Sequence, residues 1–502
     1  MTPNPAPRRG WCPGLARPMP TGDGLLVRLH PVSGQLSAGQ VRAAARAARE
    51  GGNGLLDVTA RGNLQIRGVT AESHERVVGI LAAADLGDAR HDGGPQRLTL
   101  DAPLAGADAL TVVAAVEAIG REVAGLPAKT LVAVEDATGG LGPVEADVWV
   151  RVVSGSPDAN EARGIPSPVW ERGRGEGDTL PNASRLSSYQ HAGLSSNRKR
   201  HTLVRSSIAP TPLPLGRGDP APHSGNNTSS GGSVDAAERI PLALQLAIAT
   251  PAAPLWLAPM PGPAALAVLR TLLHGLAASG ARRMRALPDA ERGALLDGLP
   301  RGAAPPAGTM PAAGLHGRTL LAELPFGRGD AGLLDRLAGW SERHGDGHLA
   351  LTPGRGIALT ARDESSAARL RDEAASAGLI VDPADPRRAV AACPGAPACA
   401  SGGTPAQGDA PRLAAAFAAL AREGATAHVS GCPKGCAHPG PAALTLVGRP
   451  DGRYGVVLDG HAGSDPDRVL TFGAVLERLE SLRELSSPQA EPGLRDAFRE
   501  PA

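Results

Sequence analysis

The order strand, helix, strand, strand, helix occurs twice in this chain, and that repetition constrains the fold more than any other feature. The first copy reads LLVRLHP (25–31) as a strand and AGQVRAAARAAREG (38–51) as a helix that Ser37 can cap and Gly51–Gly52 ends. NGLLDVTARGNLQIRGV (53–69) reads as two strands around a turn, and 71–84 as a second helix. The second copy places the same elements at 320–327, 331–345, 348–362 and 365–378. In letters, GLLDVTARGNLQIRG aligns with HLALTPGRGIALTAR, which sets Arg61 opposite Arg355. Two split βαβ units related by duplication follow, half domains at 23–87 and 316–385, with an extended arm at 1–22.

Each half domain is followed by an α/β stretch. The first runs over 88–153, with a helix at 107–122, and resumes at 237–315; the second runs over 386–484 and leaves a flexible tail at 485–502. Residues 154–236 interrupt the first stretch. They are rich in Ser, Pro, Gly, Arg and Asn without sustained periodicity, and predict a disordered insertion. Much of the chain's excess of glycine and proline (65 and 47 residues) falls there and in loops. Near-neutral charge, 51 basic against 50 acidic residues, gives no electrostatic reason to expect a nucleic-acid partner. The uncharged stretch 240–269 is broken by six prolines, and so predicts a strand, a Pro-rich turn and a helix start rather than a membrane span. No apolar segment follows the basic residues near the start, so the expected location is the cytoplasm, where disulfides do not persist.

Four of the five cysteines fall between 393 and 436, as AACPGAPACASGG and HVSGCPKGCAHPG. A [4Fe–4S] cube takes one thiolate per iron, and two converging loops with a spaced pair on each supply that set. Cys393, Cys399, Cys432 and Cys436 are the candidate ligands. The small residues around them leave room for an inorganic core. A four-cysteine zinc site remains open, although it favours tighter spacing than C-x5-C. Cys12, in Trp-Cys-Pro-Gly, stands outside the cluster.

The C-x5-C … C-x3-C pattern, the Arg-bearing strand pairs and the element order resemble the nitrite/sulfite reductase superfamily. The matching segments are CPGLARPMPTGDGLLVRLHP (12–31), GLLDVTARGNLQIRG (54–68), LPFG (324–327), LTPGRG (351–356), ACPGAPACASG (392–402) and GCPKGCAHPG (431–440). The resemblance covers most of the chain outside 154–236 and the tail. It implies an α+β fold, two ferredoxin-like half domains plus two reductase-type α/β domains in a pseudo-twofold arrangement. The reductases hold the cube beside a sirohaem, bridged by the last cysteine. By the same resemblance Arg61, Arg97 and Lys129 stand where the family binds tetrapyrrole carboxylates and anions.

Two departures bear on activity. Leu131 stands where the family has a second lysine, and Lys434 where reductases commonly carry Asn. Both favour a tetrapyrrole-modifying member of the oxygen-dependent route to cobalamin over a sirohaem-dependent nitrite or sulfite reductase. The implied reaction is hydroxylation of precorrin-3A with lactone formation, by O2 and electrons from NADH. No G-x-G-x-x-G follows a strand, so a separate reductase would deliver them. The implied cofactors are the [4Fe–4S] cluster and a second, mononuclear iron, for which His438 is one candidate ligand beside His428. A macrocycle carrying many carboxylates needs several cations, because charge-assisted pairs hold carboxylates well. Arg61, Asn63, Gln65, Arg97, Lys129, Arg355 and Lys434 are the candidate tetrapyrrole contacts, with Arg67 a further basic candidate. A cluster-bearing electron carrier, or a chain disabled by its insertion, are the remaining alternatives.

Overall fold

The structure, a computed structural model, describes residues 12–137, 139–153, 243–482 and 490–498. The predicted disordered insertion at 154–236 therefore lies outside the described residues, as does the first half of the arm, 1–11. The first copy of the repeat contains β1 (Met19–Thr21), β2 (Gly24–Leu29), β3 (Gln35–Ser37), α1 (Ala38–Gly51), β4 (Leu55–Val58), β5 (Leu64–Val69) and α2 (Ala71–Ala82). Ser37 caps α1 as expected: its hydroxyl accepts from Gln40 N–H, while the Gln40 side chain accepts from Ser37 N–H. Residues 19–21, assigned to the arm by sequence, instead pair with β2.

The first α/β domain contains β6 (Thr99–Asp101), α3 (Ala107–Glu122), β7 (Val132–Glu135), β8 (Val148–Val153), β9 (Ala243–Ile248), β10 (Leu255–Trp256), β11 (Met260–Pro261), α4 (Gly262–Ser279) and α5 (Asp289–Leu295). Its sheet runs β10-β9-β8-β7-β6, parallel from β6 to β8 and antiparallel between β8 and β9. Val153 and Ala243 are register partners, so the chain leaves and rejoins this sheet at one end of two adjacent strands. Among the described residues no helix is long and apolar enough to cross a membrane.

The second copy contains β12 (Gly314–His316), β13 (Thr319–Glu323), β14 (Arg328–Asp330), α6 (Ala331–His344), β15 (His348–Thr352), β16 (Gly356–Thr360) and α7 (Glu364–Ser376). The predicted strand 320–327 is cut short at Glu323 by a turn at Pro325–Gly327. That turn has a purpose visible in the sheets. β14 pairs with β4 of the first copy, and β3 pairs with β15 of the second. The two sheets are β1-β2-β5-β4-β14 and β12-β13-β16-β15-β3, each completed by a strand from the other copy. α1 packs on α6 and α2, and its Ala44, Ala45, Ala47 and Ala48 have no exposed surface. One apolar core contains Val41 and Leu56 together with Leu337 and Leu351, so the half domains at 23–87 and 316–385 share one interior.

The register also corrects the alignment of the two arginines. Gln35 and Arg328, Ala38 and Ala331, and Asp57 and Ala350 each lie 293 residues apart at equivalent places. That offset sets Arg355 opposite Gly62, and both are left-handed, at φ +71° and +63°. Arg61 falls opposite Gly354. The two turns touch each other, with an Arg61–Pro353 bridge and Gly354 N–H donating to Ala60 O at 3.1 Å.

The last domain contains β17 (Val390–Ala392), α8 (Ala406–Ala416), α9 (Ala418–Arg422), β18 (Ala427–Ser430), β19 (Ala442–Gly448), β20 (Tyr454–Gly460), β21 (Arg468–Leu470), α10 (Phe472–Glu480) and α11 (Ala490–Ala497). Its sheet runs β17-β18-β19-β20-β21, again three parallel strands followed by an antiparallel one. The tail expected to be loose at 485–502 contains α11. Leu494 and Phe498, one turn apart, are buried in this domain's core, and Arg478 and Arg468 donate to the carbonyls of Ala497 and Phe498. Phe498→Ala should cost about 3–5 kcal/mol of domain stability, read as an earlier thermal transition with the rest of the fold intact.

Candidate active site

The cysteines owe their meeting to strand order. β17 and β18 are adjacent and parallel, with Ala392 opposite Val429, so the loops that follow them leave the same edge of the sheet. That edge, beyond the carboxyl ends of parallel strands, is where open α/β sheets bind ligands. Cys393 and Cys399 lie on the first loop, and Cys432 and Cys436 on the second. Close approach needs glycine: a Cβ on Gly431 would stand 2.8 Å from Gly395 Cα. Gly431 N–H donates to Cys393 Sγ at 3.1 Å, and Gly403 N–H to Gly431 O at 2.7 Å. Lys434 Nζ, between the last two cysteines, donates to Ser401 Oγ at 3.0 Å and ties one loop to the other.

The thiols lie within each other's field. Burial raises the pKa of Cys432 and Cys436, and the neighbouring thiols add to it; Lys434 opposes. Such a set favours a bound cation over four free thiolates. Among the described residues no three His, Cys, Asp or Glu side chains converge on a single-ion site. Thiolates around one zinc ion stand about 3.8 Å apart, whereas a cube takes one on each iron and needs a wider set. The donor chemistry, the small-residue cradle and the N–H···S bond fit a cluster.

Two arginines, Arg67 and Arg355, lock this edge to the repeat, and a third, Arg328, supports Asp57. Arg67 on β5 is 2% exposed. It donates to Asp23 (2.9 and 3.0 Å), Asp57 (3.1 Å) and the carbonyl of Ala398 beside Cys399 (2.6 Å). Arg355 Nη2 donates to Ala437 O, beside Cys436, at 2.6 Å. Arg328 Nε donates to Asp57 at 2.7 Å. Arg67 and Arg355 are thereby joined to the cysteine loops, while Arg61 faces elsewhere.

Residues 65 and 67 of β5 share the sheet face away from the core. On that face Arg28, Gln65, Asp57 and Arg328 are successive register partners across β2, β5, β4 and β14. The Gln65 amide oxygen, assigned from its donors, accepts from Arg28 Nε at 2.9 Å. Burial lowers the pKa of Arg28, with Cys12 opposing and Arg61 adding. Burial likewise lowers that of Arg61, with Arg283 adding and Cys12, Asp147 and Glu145 opposing. His30 is pushed down to about 3 by burial and by Arg28 and Arg97. The end of the polar face is thus a cationic corner. Among the described residues no carboxylate is hydrogen-bonded to the Arg28 or Arg61 side chain.

The other predicted contacts divide. Arg97 donates to the carbonyls of Pro31, Gly62 and Arg61, so it holds the turn that carries Arg61. Asn63 is buried, and its Oδ1 has no partner among the described residues. Lys129 is exposed, on the loop where Ala128 O accepts from Cys12 Sγ at 3.6 Å. Leu131 is buried in an apolar cluster with Leu100 and Ala133. His438 Nε2 bonds Pro441 O at 3.0 Å. Buried His428 is pushed down to about 4 by burial, His438 and Arg355. Sequence reasoning missed Arg28. The signal was its place in LLVRLH, out of phase with Leu25, Val27 and Leu29, which face the core.

Comparison with known proteins follows the same lines. A family model described as Nitrite/Sulfite reductase ferredoxin-like half domain matches residues 17–84. A curated protein from Sinorhizobium sp, named Precorrin-3B synthase, is 30% identical over 489 residues, 95% of this chain and 89% of its own length. The solved structure of Mycobacterium tuberculosis NirA protein superposes with a TM-score of 0.59 at 18% identity, over 95% of this chain and 85% of that one, and shares the fold.

Two outcomes test the geometry. Arg67→Met removes the guanidinium from half-buried Asp23 and leaves Asp57 with Arg328 alone, and should cost about 3–5 kcal/mol, measured by chemical unfolding. His30 has a folded pKa of about 3, below its unfolded value of about 6.5. Its contribution is therefore full above about pH 6.5 and lost as pH falls toward 3, because the unfolded chain binds the proton first. Melting temperature against pH should fall less steeply over that window in His30→Asn.

Proposed function

The chain belongs to the precorrin-3B synthase family and is an enzyme of cobalamin biosynthesis, and we propose that it hydroxylates precorrin-3A with closure of a lactone. One atom of O2 goes to the ring carbon and the other leaves as water. The two electrons come from reduced nicotinamide through a separate reductase. The observation that carries this reading is the pair of half-buried guanidiniums, Arg28 and Arg61, with no carboxylate bonded to either among the described residues. Cations left so need an anion to bind, and the substrate is a macrocycle edged with carboxylates.

Arg28 and Arg61 bind two acidic side chains of the ring and orient it on the outer face of the first sheet. Gln65 fixes the Arg28 guanidinium, and Arg97 fixes the turn that bears Arg61. Asn63 offers a buried acceptor, and Lys129 an exposed cation. Arg67, Arg355 and Lys434 hold the two cysteine loops at the other end of that face. Cys393, Cys399, Cys432 and Cys436 would hold a [4Fe–4S] cluster, which when bound supplies one-electron transfer. Among the described residues no group of three His, Cys, Asp or Glu side chains fits a mononuclear iron. Buried Leu131 supports this reading over anion reduction, since it puts an apolar side chain in the core where the reductases have a lysine.

Anaerobically purified protein should contain iron and sulfide and show no sirohaem absorption. It should consume oxygen only when precorrin-3A is present. Arg28→Ala and Arg61→Ala should each raise KM roughly tenfold to a hundredfold, the loss of one charged hydrogen bond. Bound sirohaem with nitrite or sulfite turnover would overturn the proposal.

A further inference from the structure

We propose that His428 is a hydrogen-bond donor held in reserve for the iron–sulfur cluster, a positioning residue that raises its reduction potential. The inference rests on the cluster reading above and adds to the ligand set a residue that is not a ligand. His428 lies on β18 with no exposed surface, and neither ring nitrogen has a partner among the described residues. Leaving a buried polar group unbonded costs about 1–3 kcal/mol, so the position calls for an acceptor or donor supplied later.

The surroundings narrow what that partner is. The hydroxyl of Thr445, its register neighbour on β19, already donates to Gly460 O at 2.8 Å. His438 meets the ring edge-on at 5.9 Å, with Nε2 on Pro441 O. Arg355 Nη2 is engaged at Ala437 O. The side left over is the turn between Cys432 and Cys436. There a Cβ on Gly435 would stand 3.9 Å from His428 Cε1, and Gly435, at φ +59°, carries none. The ring therefore lies directly behind the loop that brings two of the four thiolates. Cluster and thiolate sulfurs accept N–H donors, and each such bond stabilises the extra negative charge of the reduced state.

The test uses anaerobic full-length protein as wild type, His428→Phe and His428→Gln, with His428→Leu should Phe not be accommodated. Iron and sulfide content is measured first, then the potential by a titration followed by electron paramagnetic resonance. With clusters equally loaded, Phe or Leu should shift the potential to more negative values, while Gln, which keeps an N–H, should stay near wild type. The apoprotein of the Phe variant should melt higher than wild type, because an unbonded polar ring has been replaced by an apolar one. An unchanged potential in Phe and Leu overturns the proposal and makes His428 a space-filling residue. Wild-type protein without iron and sulfide overturns the cluster reading, and this proposal with it. That outcome is distinct from a loaded cluster indifferent to residue 428.

Discussion

The exchange of β3 and β14 between the two copies is the constraint on which the rest depends. A split βαβ unit with a finished sheet could drift relative to its copy. Here each sheet lacks an edge until the other copy supplies it, and the helix that follows each exchanged strand, α1 or α6, packs on its counterpart. Backbone hydrogen bonds and one apolar core then fix the two sheets together. The exchange also delivers Arg328 to the outer face of the first sheet, against Asp57. Asp57 in turn meets Arg67, and Arg67 reaches Ala398 beside Cys399. A topological event far from the cysteines thus sets where their loop can rest.

Much of this was legible in the sequence because it is local. Hydrophobic period and a capping serine place α1, and four clustered thiols announce a cradle. What was not legible is register. The strand exchange depends on turns at Ser33–Gly34 and Phe326–Gly327, where one non-glycine residue in each takes a left-handed conformation. Nothing in LPFG marks Phe326 as such a residue. The match of Arg61 with Arg355 failed for the same reason. Letters aligned two arginines, whereas backbone conformation aligned Arg355 with Gly62. Helix α11 was missed because its apolar pair, Leu494 and Phe498, is short and flanked by Pro and charged residues.

Arginine in this chain has two uses that composition cannot separate. Arg67, Arg97 and Arg328 are spent on carboxylates or carbonyls of the protein, so their contribution is to geometry. Arg28 and Arg61 are partly desolvated and near each other without a bonded carboxylate, an arrangement that opposes folding unless an anion joins them. Burial, with Arg28 and Arg97 adding to it, likewise keeps the neighbouring His30 neutral. Burial alone would not distinguish the two groups; the acceptor of each guanidinium does.

Duplication makes two copies of every surface, and the difference between the copies shows what the site requires. The row Arg28, Gln65, Asp57, Arg328 on the first sheet corresponds in register to Leu321, Ala358, Ala350, Gln35 on the second. There the face opens on a cavity of about 620 Å3, lined also by Leu100, Pro103 and Leu104 and by the charged Arg97, Asp101 and Asp346. The loop after β6 holds no cysteine, where the loop after β17 holds two. The same backbone therefore carries a charged row and thiols on one side of the pseudo-twofold axis, and the row Leu, Ala, Ala, Gln without thiols on the other. A structural demand of the fold would have acted on both copies alike. The polar row and the cysteine loops occur together on one side only, which is what a shared chemical task, and not packing, would select.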